Sequence, residues 1–585
     1  MNGVPNKLEL KKFLHSGGAF SQAFILSFCC TLLFQGAQDF VASSTINFFL
    51  FLLFFFFHVV SGQVASALSY FVFYLSSLLI LGQFAYQIGF RFDSLFITCS
   101  YTLLAFASSL KFRKVHNVEA RRFSQLHLGI FLIAPLALFK KFGSDANLAT
   151  FLTGWDHTGG HLYVISVIKK LGTFSYFPAD YVGSAPKLFH QFTALFVNQQ
   201  TISEAYFIIL FLEFFFCYTM SLALVNIVSN HLKIWGGLKS KSGRFTGAFS
   251  FAVIPFFGPF FAWSLGFGYP TILLALTIFL CTSVLIADSA SRGGHVRLGL
   301  IILIALVGNT WNPALPAAFL VFVYFHVMEI RRIGLLLCDS FLALATIALP
   351  VISIYVNAGV GAASMGSTTF SILLLFWLCF SACISIYSLI VGRKPMVAFL
   401  GSFVLGNVIF ALIVKLLSKS AFGEFPYYAV KILWISTIPT LLLCSFFILE
   451  KWKWVFLKPL SSFVLSILIL VCSNIFHLFP DKNNGITIFK PINVNLIWQT
   501  TAIDKASEFD PAQSLLIYSG SGWDSRSAQF LSVLGYSTWN SQSALIGDET
   551  ALCRFALENP KLLIIARSST TFPDCLIGSR KIFVE

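Results

Sequence analysis

The sequence predicts an all-α polytopic membrane bundle of about fifteen spans with a small extracytoplasmic α/β domain at its C-terminal end. Three observations lead there. The 585-residue chain is 57% hydrophobic and only 11% charged, with a mean hydropathy of +0.82, which no ordinary soluble protein approaches. Its apolar runs recur at membrane-spanning length, separated by short basic loops. The charge balance then changes: residues 1–480 hold 14 acidic and 30 basic side chains, residues 481–585 ten and nine. The formal net charge of +15 thus sits in loops between spans and marks membrane orientation, not a nucleic-acid partner.

In chain order, apolar runs place spans near 19–36, 44–61, 64–84, 94–112 and 125–141, the first retained and not removed as a signal peptide. After a polar interval come 203–228, 246–264 and 270–289, then the short pair 298–311 and 312–330, broken at Asn309-Thr310-Trp311-Asn312-Pro313. Spans near 334–356, 370–391, 396–418, 428–450 and 458–479 complete the series. The Phe-rich run Phe48 to Phe57 reads as lipid-facing bulk.

Loop charges orient this map. Lys7, Lys11 and Lys12 put the N-terminus in the cytoplasm. Counting forward, cytoplasmic loops hold Lys111, Arg113 and Lys114; Lys233, Lys239 and Lys241; Arg292 and Arg297; Arg331 and Arg332; Arg393 and Lys394; and Lys451 and Lys453. The alternate loops are poor in these residues. The chain divides into N-terminal spans 1–124, a membrane core 125–479 with a large extracytoplasmic loop 142–202, and an extracytoplasmic domain 480–585 of a multi-pass plasma-membrane protein. No nucleotide pool exists outside the cytoplasm, so chemistry there draws on lipid-linked donors.

Within 142–202, His161 to Leu171 and Pro186 to Val197 predict two short helices lying along the membrane surface. Beyond 480, the runs Ser514 to Tyr518 and Lys561 to Ala566 predict buried strands, and Ser525 to Leu534 and Glu549 to Leu557 predict helices between them. Gly520-Ser521-Gly522 lacks the remainder of a G-x-G-x-x-G pattern and reads as a plain turn. Cys553 and Cys575 are the two cysteines outside apolar segments, open either to a disulfide or to two free thiols.

The candidate chemistry centres on Gly154-Trp155-Asp156-His157-Thr158-Gly159-Gly160-His161. Asp156 suits a general base acting on a hydroxyl beside the membrane, and equally a helix cap. His157 and His161, four apart, suit a phosphate or a divalent cation beside Asp156, although His-x-x-x-His without a Glu is a weak metal pattern. Lys187 and His190 lie on the second short helix and can face the same pocket. Tyr427, Tyr428 and Lys431 start the span 428–450; a lysine one turn into a membrane helix suits a lipid phosphate or snorkels to headgroups. Glu213 lies inside a span, and Asp339, near the cytoplasmic end of another, is expected to pair with a loop cation.

A first large outer loop with an acid near its start, two surface helices, many spans and an outer C-terminal domain resembles the GT-C superfamily of membrane glycosyltransferases. The run 154–161, followed by Tyr181 to Pro186 and Phe189 to Leu195, looks like large actinobacterial proteins near the arabinofuranosyl- and mannosyltransferases. Tyr427-Tyr428-x-x-Lys431 is similar to a motif in some of those enzymes. The resemblance implies a polyprenyl-phosphate-linked sugar as donor, an envelope glycan or lipid as acceptor, Asp156 as base and Lys431 as phosphate ligand. By residue type and position, His157, His161, Lys187, His190, Tyr427 and Tyr428 are the candidate substrate-binding residues beside them. No cofactor is fixed by the resemblance; a divalent cation stays open. Trp523 and Trp539 are candidate sugar-stacking faces. A flippase for a lipid-linked precursor, which needs charged residues along a path through the bundle, and a non-catalytic polytopic protein are the alternatives.

Overall fold

The computed structural model describes residues 40–87, 95–110, 161, 165, 168, 188–196, 202–234, 251–252, 254–256, 270–290, 296–330, 333–357, 367–369, 372–391, 395–417, 424–451, 505, 508, 515–519, 537–540, 549–567 and 572–584. Helices dominate: α1 (Phe40–Val60), α2 (Val64–Gln87), α3 (Leu95–Ser109), α4 (Leu188–Ala194), α5 (Ile202–Ile234), α6 (Pro270–Ala290), α7 (Val296–Thr310), α8 (Leu315–Phe325), α9 (Ile333–Asn357), α10 (Ile372–Val391), α11 (Pro395–Leu417), α12 (Tyr427–Ile435) and α13 (Thr437–Lys451). A π turn, His326–Ile330, extends α8. These helices occupy eleven of the expected apolar runs. The runs 19–36, 125–141 and 458–479, and most of 246–264, lie outside the described residues.

Among the described residues, five helical segments are long and apolar enough to cross a membrane: Val64–Gly82, Phe211–Asn230, Pro270–Ala287, Pro395–Leu417 and Tyr428–Phe447. Shorter apolar helices accompany them, Ile46–Val60 and Gly334–Ile347 among these. The bundle also turns apolar side chains outward. Phe49, Leu53 and Phe57 on α1, and Leu337, Phe341 and Leu344 on α9, are all more than half exposed. Such stripes suit a lipid boundary and not water.

The opposite stripe of α1 corrects the reading of the Phe-rich run as lipid-facing throughout. Phe51 and Phe55 are fully buried and make edge contacts with Tyr74, Phe192 and Phe215. Residues four apart share one helix face, so one Phe run supplies both an aromatic core and a lipid face.

Local chemistry sets several boundaries. Gly62, with φ 77°, ends α1: the Gly62 N–H donates to Val59 O and the Gln63 N–H to His58 O, a left-handed cap that a side chain would strain. Pro270 and Pro395 open their helices, where a missing N–H costs nothing. The expected span 428–450 is two helices broken at Ser436. Pro439 accounts for the break, since its ring clashes with the carbonyl four residues back and it has no N–H to donate. The expected break at 309–313 is a 3-10 turn, Asn312–Ala314, and Asn309 ties it down by donating from Nδ2 to Ala305 O and Thr346 O.

The described residues also form two sheets. Strands β1 (Ser367–Thr369) and β2 (Glu424–Pro426) pair antiparallel, joining two loops at one end of the bundle. In the C-terminal region β3 (Leu515–Ser519), β4 (Ser537–Asn540), β5 (Leu563–Arg567) and β6 (Arg580–Val584) form a parallel sheet in the order β4-β3-β5-β6. Helix α14 (Glu549–Glu558) precedes β5. Residues 562–566 are buried on both faces, as parallel strands require. Cys553 of α14 and Cys575 form a disulfide.

Candidate functional site

The short helix α4 is the first element that brings candidate residues together. Every residue from Leu188 to Ala194 is buried, His190 and Gln191 included. The helix touches α2, α5, α6 and α7. This corrects the expectation of a helix lying on the membrane surface: a helix buried all round belongs to the packed interior. Its polar side chains therefore face protein.

His190 meets His161 there, Nε2 to Nδ1 at 2.8 Å. Phe189 stands edge-on to the His161 ring, with centroids 5.5 Å apart. A hydrogen bond between two imidazole nitrogens needs a donor and a lone pair, so at least one of the rings is neutral. The pair can pass a proton or donate to an anion.

The second group lies on α12. Pro426, extended at φ −60° and ψ 140°, precedes the helix, and β2 fixes its approach by pairing with β1. One turn in, Lys431 is only 6% exposed, and its ammonium lies 5.5 Å from the centroid of the half-buried Tyr428 ring. That distance falls within cation–π range. A buried ammonium carries a large desolvation cost unless anions or dipoles meet it. Tyr427 begins α12.

Both groups border the same helix, since α4 and α12 each contact α6. Helix α7 contacts α4, and the 3-10 turn after it contacts α12. His190 on α4 and Tyr428 and Lys431 on α12 are thus carried on helices that share α6 as a neighbour. Asp156, His157, Lys187 and Trp523 lie outside the described residues, and Trp539 is placed only as a position on β4.

Glu213 is fully buried on α5. Asp339 has the cation expected of it, carried by the first turn of α7 and not by a loop: Arg297 Nε and Nη2 donate to its two oxygens at 2.6 and 2.7 Å. The sequence reading missed His326, whose Nε2 lies 2.8 Å from Asp339 Oδ2. A histidine inside an apolar run was the available signal. It also missed Asn407 on α11, which is fully buried with neither carboxamide atom hydrogen-bonded among the described residues. Helix α11 packs against α12. Among the described residues no group of three or more His, Cys, Asp or Glu side chains is close enough to hold a metal ion.

No known protein family and no curated protein sequence matches this chain.

Proposed function

We propose that this chain is a multi-pass plasma-membrane glycosyltransferase of the GT-C type, moving a sugar from a polyprenyl phosphate to an envelope glycan or lipid at the outer face. The observation that carries the reading is Lys431, a cation withdrawn from solvent one turn into an apolar helix. A lipid-linked phosphate reaches that depth, and charge-assisted hydrogen bonds there are strong.

In the proposed step the Asp156 carboxylate takes the proton from an acceptor hydroxyl. The freed oxygen attacks the anomeric carbon, the bond from that carbon to the phosphate oxygen breaks, and the polyprenyl phosphate leaves with the bonding electrons. The product sugar has inverted configuration. Lys431 neutralises charge on the leaving phosphate, and the His161–His190 pair donates to the same anion or to a sugar hydroxyl.

This reading includes about fifteen spans, a cytoplasmic N-terminus and an extracytoplasmic α/β domain at 480–585. Contacts between residues assigned to one side support it. Arg297, His326 and Asp339, at three helix ends on the inner side, meet one another. The loops of β1 and β2, both on the outer side, pair. A disulfide between Cys553 and Cys575 suits an oxidising compartment.

Full-length protein in vesicles, supplied with a labelled polyprenyl-phosphate sugar and a glycan acceptor, tests the proposal. Transfer should fall by about 10²–10⁴ in Asp156→Asn; transfer equal to wild type overturns the mechanism. The fully buried Glu213 favours a second reading, a flippase for a lipid-linked precursor. That reading requires movement of the lipid between leaflets with no new glycosidic bond, lost in Glu213→Gln.

A further inference from the structure

At the inner ends of α7, α8 and α9 three ionisable side chains form a closed hydrogen-bond set. Asp339 Oδ1 accepts from Arg297 Nη2, and Oδ2 accepts from Arg297 Nε. His326 Nε2 approaches the same Oδ2 at 2.8 Å, while its Nδ1 lies 2.9 Å from the carbonyl oxygen of Phe322. A carbonyl oxygen can only accept, and so can an ionised carboxylate. Both ring nitrogens of His326 therefore need hydrogen, or Asp339 must carry one itself. Either way, the pair holds one proton more than a neutral imidazole beside a carboxylate.

We propose that His326 and Asp339 form a proton-binding site that fastens the end of α8 to α9 and, through Arg297, to α7. Asp339 and His326 are almost wholly buried, whereas the Arg297 side chain is 44% exposed, so water reaches the cluster from the Arg297 side. When the proton leaves, one of two contacts is lost. The Nδ1–H form keeps the bond to Phe322 and turns a lone pair on Asp339, parting α8 from α9. The Nε2–H form keeps Asp339 and releases the last turn of α8, where the π turn begins. π turns recur at working sites, and an intramembrane Asp–His pair is a recurrent proton carrier. Among the described residues the charged or titratable neighbours are Arg297 on α7 and Asp339 and Cys338 on α9.

The test uses full-length protein with ¹⁵N-histidine and ¹³C-aspartate labels, in nanodiscs. Near neutral pH, either both nitrogens of His326 carry hydrogen beside an ionised Asp339, or Asp339 is protonated beside a neutral ring. The His326 resonance is assigned by its loss in His326→Gln. Should that variant not fold, Arg297→Gln keeps both partners and moves their resonances. A neutral imidazole beside an ionised carboxylate overturns the proposal. Thermal midpoints give a second readout: wild type should lose stability as rising pH removes the shared proton, and Asp339→Asn should lack that drop. Identical pH profiles for the two also overturn it.

Discussion

His161 and His190, 29 positions apart in the chain, share a hydrogen bond of 2.8 Å between Nδ1 and Nε2. The bond fastens the polar segment before α4 to a helix buried on every side. Its strength is measurable by a double-mutant cycle with His161→Ala and His190→Ala, read by denaturation in detergent. A coupling energy of about 1 kcal/mol is expected for a buried neutral pair. Strict additivity would show that the bond contributes nothing to stability.

Lys431 separates function from folding. Lys431→Met keeps the length of the stem and removes the charge. If the ammonium serves a bound phosphate, thermal stability should hold or rise, because a buried charge is a poor source of stability. Transfer from a polyprenyl-phosphate sugar should fall by about 10²-fold, as for loss of one preorganised charge. If the variant instead unfolds by about 3–5 kcal/mol, the lysine belongs to a structural ion pair.

What was legible in the sequence was periodicity and charge. Apolar runs located helices because membrane helices need long apolar stretches whatever packs against them. Asp339 declared its need for a cation, and Arg297 answers it. The apolar runs 514–518 and 561–566 found strands that pair in a parallel sheet. What was not legible depends on partners. Apolar content alone cannot distinguish a helix lying in the lipid interface from one enclosed by protein, so α4 was misplaced at the surface. The meeting of His161 with His190, and of His326 with Asp339, arises from tertiary packing between elements that no local pattern links.

Close packing of α11 against α8 rests on Gly406. A Cβ there would lie 2.6 Å from Ala317 Cα, and a backbone atom cannot swing aside as a side chain does. Gly406→Ala should cost about 1–3 kcal/mol through overpacking. Gly334, where an added Cβ meets nothing within 4 Å, is the control. Its alanine variant should be neutral or slightly stabilising, since alanine favours the helix over glycine. Equal thermal midpoints for the two variants would refute tight contact at Gly406.

Asn407 offers the reverse experiment. Its carboxamide is buried with no hydrogen bond among the described residues, and such a group costs about 1–3 kcal/mol. Asn407→Leu, close in volume, should raise the denaturation midpoint. A fall of comparable size would mean that a water or ligand group satisfies the amide in the working protein.

The disulfide tests stability and topology together. Cys553 and Cys575 close a loop with a sequence separation of 22, and a cross-link of that span stabilises by about 3 kcal/mol relative to the open chain. It joins α14 to the turn before β6, so its loss should loosen the edge of the sheet first. Peptide mapping without reductant should recover the two cysteines linked, and Cys553→Ser should expose the 549–584 region to limited proteolysis. Protein purified directly from its native membrane is the decisive sample. A linked pair there requires an oxidising compartment and supports the placement of residues 480–585 outside the cytoplasm. Two free thiols in the same sample would put that region on the reducing side and reverse the charge-based orientation of the final span.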